Sequence, residues 1–259
     1  MALLELDDVI VDYPVFSTPR QLSILSTLAN KVTAGRLAQD VGRISAVRAL
    51  DGVSLRLQDG DRVAIVGRNG SGKTSMLKLM SGLILPDSGL FRSVGSRGSI
   101  ISLGAGLDPD KTGLENICFV ASLLGVKRRQ WGSLVEDIAD FTELGEFLGL
   151  PIRTYSNGMT VRLVFALATA IPRDILIVDE VIGAGDAHFV EKAAGRVRSL
   201  FAKAKILVLA THSGEIAEQM CDRAIWLSHG RIVMDGDPRT VWNSYLANGA
   251  PAPEAAAAE

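Results

Sequence analysis

The run Gly67-Arg68-Asn69-Gly70-Ser71-Gly72-Lys73-Thr74 fits the pattern G-x-x-x-x-G-K-[ST] without a mismatch. Glycines at these positions let a backbone turn tightly, so that successive N–H groups converge on an anion. A helix starting at the end of the loop adds the positive end of its dipole. That is a cradle for phosphate. Lys73 would bring a cation to the β- and γ-phosphates of a nucleoside triphosphate, and the Thr74 hydroxyl a ligand to Mg2+. A second cluster lies downstream, where four apolar residues, Ile175-Leu176-Ile177-Val178, run into Asp179-Glu180. Acids that end a strand buried on both faces sit where an open sheet binds ligands. Asp179 would order the magnesium shell and Glu180 would polarise an attacking water. Phosphoryl transfer needs positioning and charge stabilisation more than covalent chemistry.

These residues need elements to hold them. Asp61 to Val66 reads as a buried strand ahead of the loop, and Thr74 to Met80 has helical apolar spacing behind it. This context argues against a chance glycine-rich turn. Ala2 to Asp12 reads as a strand, and Leu50 to Gly67 as a hairpin turning at Gln58-Asp59-Gly60-Asp61. Pro86 to Leu150 holds Gly/Asp/Pro turns and then two helical patterns, Leu114–Leu124 and Val135–Leu148. A third helix is expected from Gly158 to Ile171, stopped by Pro172. Beyond it strands and helices alternate: Ile175–Asp179, Phe189–Ala202, Ile206–Thr211 and Ser213–Cys221. A hairpin follows across His229-Gly230, and a short helix near Val241–Leu246. Such alternation implies an α/β fold with a mainly parallel sheet.

Composition narrows the class. With 259 residues, 47% of them hydrophobic and 22% charged, the chain can bury a substantial core. A net charge of −2 leaves no footprint of a nucleic-acid binder. Cys118 and Cys221 form no motif and fit core packing in a reducing compartment. No stretch reaches the ~18 uncharged apolar residues a membrane span needs, and the N-terminus lacks the basic start of a signal peptide. Residues 16–47 carry Arg20, Lys31, Arg36 and Arg43 against one acid, Asp40, with Leu22, Leu25 and Leu28 at helical spacing. They read either as a basic amphipathic insertion near anionic lipid or a membrane partner, or as a solvated surface insertion. The Ala/Pro/Glu tail, 247–259, is expected to be disordered.

Together the phosphate loop and the Asp179-Glu180 strand end resemble the nucleotide-binding subunit of ABC transporters, over nearly everything from Leu3 to Leu246. The resemblance implies a P-loop NTPase fold of ABC type, with an antiparallel β subdomain and a helical subdomain over about 86–165. It implies ATP and Mg2+ as ligands. ATP would be held by Arg68, Asn69, Gly70, Ser71, Gly72, Lys73, Thr74 and Ser75, the metal by Thr74 and Asp179, and catalysis would fall to Glu180, Lys73 and His212. Tyr155-Ser156-Asn157-Gly158-Met159 stands in place of the Leu-Ser-Gly-Gly-Gln signature, with Asn157 for a glycine; Asn tolerates left-handed backbone better than most residues. In this family Ser156, Asn157 and Gly158 would act on the ATP held by the partner copy. Asp186, in Gly183-Ala184-Gly185-Asp186, matches the loop that communicates across the dimer. His212 matches the histidine that senses the γ-phosphate. Tyr13 lies where family members stack an aromatic on adenine, although it could merely cap the first strand.

One departure narrows the subfamily. Leu103, within Leu103-Gly104-Ala105-Gly106-Leu107-Asp108-Pro109, occupies the position of a Gln that usually reaches the metal. That loop, Thr112-Gly113-Leu114-Glu115-Asn116, and Asp179 to Phe189 look similar to ATPases that export O-antigen, capsule or teichoic-acid polysaccharide. The resemblance thus implies an ATP-sandwiched homodimer on the cytoplasmic face of the bacterial inner membrane. A polytopic permease would join it, contact the glycan, and leave no role for nucleic acid. An exporter of drugs, lipids or small glycolipids is the alternative. A soluble ABC ATPase of DNA repair or translation lacks support, since no coiled-coil insertion or second ATPase domain is present.

Overall fold

The computed structural model of the chain describes residues 1–16, 37–39, 44–100, 107–179 and 187–248, and they form two compact units. The first draws on Met1–Gly95, Ile177–Glu180 and Lys205–Glu259, the second on Ser96–Leu176 and Val181–Ala204.

The first unit holds an antiparallel sheet with the order β2-β3-β1-β5, formed by β1 (Leu3–Phe16), β2 (Leu37–Gln39), β3 (Ile44–Gln58) and β5 (Ser88–Val94). In β3, Val53, Leu55 and Leu57 are buried while Ser54, Arg56 and Gln58 face water, the alternation of a strand covered on one side. Strand β4 (Arg62–Val66) differs: Val63 to Val66 are all buried. It lies between β9 (Arg223–Ser228) and β8 (Ile206–Ala210), parallel to both. The order continues β10-β9-β4-β8-β7, with β10 (Arg231–Gly236) antiparallel to β9 and β7 spanning Ile175–Val178. Helices α1 (Lys73–Ser81), α6 (Gly214–Met220) and α7 (Pro238–Asn248) belong to this unit.

The hairpin expected over Leu50–Gly67 is therefore not formed. Its turn is present, with Asp61 N–H donating to Gln58 O at 3.0 Å, but β3 and β4 enter different sheets. A one-sided alternating strand and a strand apolar on both faces have no common sheet to share.

The second unit contains β6 (Arg97–Ile100), the start of β7, and helices α2 (Gly113–Leu123), α3 (Trp131–Thr142), α4 (Asn157–Thr169) and α5 (Ala187–Lys203). Its core is aromatic. Phe141 stacks on Phe165 with centroids 5.8 Å apart, and Phe189 meets both edge-on at 5.5 and 5.9 Å. Arg196 lies 4.4 Å over the Phe141 ring. The helical pattern over Val135–Leu148 is broken: α3 ends at Thr142, Glu143 takes a left-handed cap at φ 57°, and Gly145–Gly149 is a separate 3-10 turn. Strands β5 and β6, where turns were expected, complete the departures. Helix α7 runs through Ala247 and Asn248, so the described chain is still helical where the tail was expected to begin. The proposed amphipathic helix near Leu22–Leu28 lies outside the described residues, as do Leu103, Glu180 and Asp186.

Candidate functional site

Strand β4 delivers the chain into the phosphate loop and α1 receives it. Two glycines are required by close approach. A Cβ on Gly67 would lie 2.3 Å from the Leu227 carbonyl oxygen, and one on Gly72, at φ 109°, 2.5 Å from the Ala49 carbonyl oxygen. Gly72 is the N-cap of α1 and brings no side chain to the helix's first N–H groups. Lys73 is 8% exposed, and its ammonium donates to Gly67 O at 2.6 Å and Arg68 O at 3.1 Å. Among the described residues the buried Ser71 hydroxyl has no hydrogen-bond partner. Arg68, Asn69, Gly70 and Thr74 are exposed and Ser75 half-buried. An uncapped helix start, an orphaned buried hydroxyl and a folded-back cation form a site that fits a polyphosphate.

The loop is held from behind by residues that motif reading misses. At the turn between β9 and β10, His229 and Gly230 adopt φ 51° and 76°, the left-handed pair of a tight hairpin. Gly230 N–H donates to Ser71 O at 2.8 Å, and Gly230 O accepts from Asp51 N–H at 2.9 Å. Arg231 pairs with Asp51 at 2.6 Å, and Arg48 bridges Asp51 (3.3 Å) to Asp12 (3.1 Å). The Arg231 hydrogen bond holds the Asp51 carboxyl below its usual range despite opposition from burial, and Asp12 in turn raises Arg48. The only sequence signal was the His229-Gly230 pair itself.

Other expected residues gather around the loop. Tyr13, 37% exposed, stands beside Asp12 on β1 and pairs with Val47, two residues before the Ala49 carbonyl that crowds Gly72. Thr211 is buried and its N–H donates to Ile65 O at 3.2 Å, so the β8 end is tied to β4 and His212 emerges exposed next to it. Asp179 follows β7, the neighbour of β8 in the sheet, and is half-buried. The Thr74 hydroxyl and the Asp179 carboxylate are hard oxygen donors of the kind Mg2+ takes, with waters filling its remaining positions.

In the second unit Ser156 caps α4, its Oγ accepting from Met159 N–H at 3.2 Å. Asn157 is the first helical residue and has no positive φ, so the left-handed backbone considered for it is not used. A helix N-terminus needs no glycine there. Ser156, Asn157 and Gly158 are all exposed. The Tyr155 hydroxyl donates to Phe147 O at 2.7 Å. The Thr112-x-x-Glu115 run forms a reciprocal capping box on α2, and buried Asn116 accepts from Asp108 N–H at 2.8 Å while donating to Thr112 O at 2.9 Å.

The fold and loop define a P-loop ATPase of ATP-binding-cassette type. The ABC transporter family matches residues 50–183. The chain is 40% identical over 232 residues to the O-antigen export system ATP-binding protein RfbE of Yersinia enterocolitica, covering 90% of this chain and 97% of that protein. It is 36% identical over 199 residues to the teichoic acids export ATP-binding protein TagH of Enterococcus faecalis, covering 77% of this chain but 44% of that one. A solved ATP-binding subunit of an ABC transporter superposes with a TM-score of 0.68 at 20% identity, over 96% of this chain and 95% of that one. A dimeric ATP-binding cassette in a post-hydrolysis state, bound to ADP and Pi, gives 0.64 at 21% identity, over 91% of this chain and 99% of that one. The chain belongs to the ABC transporter family and is an ATP-binding, ATP-hydrolysing member of it.

Proposed function

We propose that this chain energises export of a lipid-linked polysaccharide, of O-antigen, capsule or teichoic-acid type, across a bacterial cytoplasmic membrane. The observation that carries the cargo class is the relation to the Yersinia O-antigen export protein, which runs along nearly all of both chains. Two copies would close on two ATP molecules beneath a polytopic permease, and the permease would make most of the contact with the glycan. The chain would sit as a peripheral subunit on the cytoplasmic face; among the described residues no helix is long and apolar enough to cross a membrane.

In this reading Lys73 turns from a loop carbonyl to the β- and γ-phosphates, and the N–H groups at the α1 start and the Ser71 hydroxyl donate to phosphate oxygens. Arg68, Asn69, Gly70, Gly72 and Ser75 shape and line the cradle, and Tyr13 offers its ring to adenine. Thr74 and Asp179 hold Mg2+, which when bound neutralises charge on the transferring phosphoryl group. The Leu103 side chain offers no oxygen to the metal, so a water would supply the ligand that a Gln gives elsewhere in the family. Glu180 orients and polarises the attacking water, while His212 meets the γ-phosphate. Ser156, Asn157 and Gly158, at the α4 N-terminus, face the nucleotide of the second copy, and Asp186 serves communication between copies.

Deleting the chain tests this. Lipid-linked polysaccharide should accumulate on the inner face of the membrane, with surface glycan restored by the wild-type chain but not by Lys73→Met. Capture of the tagged chain from detergent-solubilised membranes should bring a polytopic permease in near-equal amount. Unchanged surface glycan, with no permease recovered, would overturn the proposal.

A further inference from the structure

We infer that Trp242 is a positioning residue for His212: its indole, laid on Gly214, fixes the loop that carries the histidine. The inference rests on the proposed contact of His212 with the γ-phosphate. Gly214 is buried, and a Cβ built there would lie 2.4, 2.5 and 2.6 Å from Nε1, Cδ1 and Cε2 of Trp242. The face of the indole thus fills the space a side chain would need. Only Ser213 separates Gly214 from His212, and that residue is pinned at both ends. Its N–H donates to Thr211 Oγ1 at 3.0 Å, and its Oγ caps α6 by accepting from Ile216 N–H at 3.3 Å. With Thr211 tied to β4 on one side and Gly214 held under the indole on the other, His212 has little freedom to swing.

The indole is itself anchored to the phosphate loop's own frame. Trp242 and Tyr245, three apart on one face of α7, have ring centroids 5.3 Å apart, and Tyr245 meets Trp226 at 6.0 Å. Trp226 sits on β9 opposite Val66, the residue immediately before Gly67. Tyr245 is buried, and burial raises its pKa while the positive charge of nearby Arg68 acts in the other direction. Three aromatic rings therefore run from the His212 loop to the strand and loop that hold the phosphates. Val241, fully buried on the same helix, serves the core. Trp242 is half-buried, and its ring lies between Tyr245 and Gly214, two residues beyond the histidine.

The test uses the full chain with its histidines 13C-labelled; there are three, His188, His212 and His229. The His212 Cε1–H resonance is assigned by its loss in His212→Ala. It should shift when magnesium and a non-hydrolysable ATP analogue are added to the wild type. In Trp242→Ala and Gly214→Ala that response should vanish or broaden, while analogue affinity stays within about twofold and hydrolysis falls by about ten- to a hundredfold. Trp242→Phe, which keeps a flat ring, should restore much of the response. Combining Trp242→Ala with His212→Ala should cost no more than His212→Ala alone, because one residue acts through the other. A normal His212 response in both Trp242→Ala and Gly214→Ala, or an additive loss, would overturn the inference. A wild-type resonance indifferent to the analogue would instead remove His212 from the site, and this inference with it. If Trp242→Ala does not fold, Gly214→Ala decides, since it keeps every ring.

Discussion

Lys73→Met separates the two jobs of one buried cation. Methionine keeps the apolar stem and removes the charge. An ammonium has three donors, and two are already engaged with Gly67 O and Arg68 O. Losing them leaves two carbonyls short of a donor, a penalty of about 1–3 kcal/mol each. Against this, the fold no longer buries a cation that is only 8% exposed, and relief from desolvation is worth several kcal/mol. The terms oppose, so net stability should move by no more than about 2 kcal/mol, or roughly 4–8 °C in Tm. The ligand has no such compensation. A charge-assisted hydrogen bond to phosphate is worth about 1.5–3 kcal/mol, so Kd for MgATP should rise roughly ten- to 150-fold. A cation on the transferring phosphoryl group is worth about 3–4 kcal/mol more in the transition state, or about 10²- to 10³-fold in turnover. Calorimetric titration with MgATP and thermal unfolding without nucleotide read the two effects independently. ATP affinity within twofold of wild type would refute the assignment, and a collapse in Tm with binding retained would make Lys73 a structural residue.

Glu180→Gln should leave MgATP affinity near wild type and slow turnover by about 10²- to 10⁴-fold, the usual worth of a positioned base. ATP should then hold it as a dimer on size exclusion, and wild-type turnover would remove Glu180 from the mechanism. Gly230→Ala places a Cβ 2.8 Å from the Ala49 carbonyl oxygen at φ 76°; stability should fall by about 1–3 kcal/mol, and ATP affinity should fall with it because Ser71 O loses its brace. Affinity unchanged in a destabilised variant would show that the brace does not shape the loop. Asp51 titrates below its usual value in the fold through its hydrogen bond to Arg231. Its stabilising contribution is present above the unfolded carboxylate pKa and is lost as pH falls below it. Arg231→Ala should therefore flatten the acid limb of a urea-stability profile between about pH 5 and 2, and an unaltered limb would show that Asp51 gains nothing from the pair. Cys221, pushed up to about 12 by burial, works in the opposite sense: its contribution holds below the unfolded thiol value and drains away as pH rises towards 12.

How far the sequence could be read depended on how many neighbouring residues one function constrains. The phosphate loop was legible because eight consecutive positions answer to a single ligand, and the strand before and helix after were visible in their apolar spacing. The Gln58-Asp59-Gly60-Asp61 turn was equally visible, yet turn chemistry does not say whether the strands it joins will pair. Burial decides that: β3 alternates and β4 does not. Strand β5, Ser88-Gly89-Leu90-Phe91-Arg92-Ser93-Val94, leaves Leu90 and Val94 exposed and so carries almost no period-two signal. Asn157 stands where the pattern has a glycine, yet it is the first residue of a helix that Ser156 caps, a position that needs no left-handed backbone. Least legible were the brace at Gly230 and the indole over Gly214, since each joins residues far apart in the chain through backbone groups or bare glycine surface.

The proposed action of Ser156, Asn157 and Gly158 on a partner's nucleotide requires a symmetric pair of chains, and the phosphate loop and the α4 N-terminus differ in how complete each is on its own. The phosphate loop is braced within its own chain: Lys73 donates to the Gly67 and Arg68 carbonyls, Gly230 N–H donates to Ser71 O, and two of its glycines leave no room for a side chain. The α4 N-terminus is the converse. Its hydroxyl is taken up in capping its own helix, and Ser156, Asn157 and Gly158 are exposed. On the proposed reading, the exposed helix start of each chain serves the cradle of a second copy, which presents the same pair in reverse. A two-fold axis satisfies both at once and gives two equivalent sites. In mixed dimers, a chain with Ser156→Ala should then impair the site whose cradle belongs to its wild-type partner. A Lys73→Met chain combined with a Ser156→Ala chain should retain one undamaged site, formed by the Ser156→Ala chain's cradle and the Lys73→Met chain's Ser156. Random assortment makes about half of the dimers mixed, each with one intact site of two, so single-turnover hydrolysis near a quarter of the wild-type amplitude in an equimolar mixture would support the arrangement. Complete loss at full dimer occupancy would refute independent sites built this way.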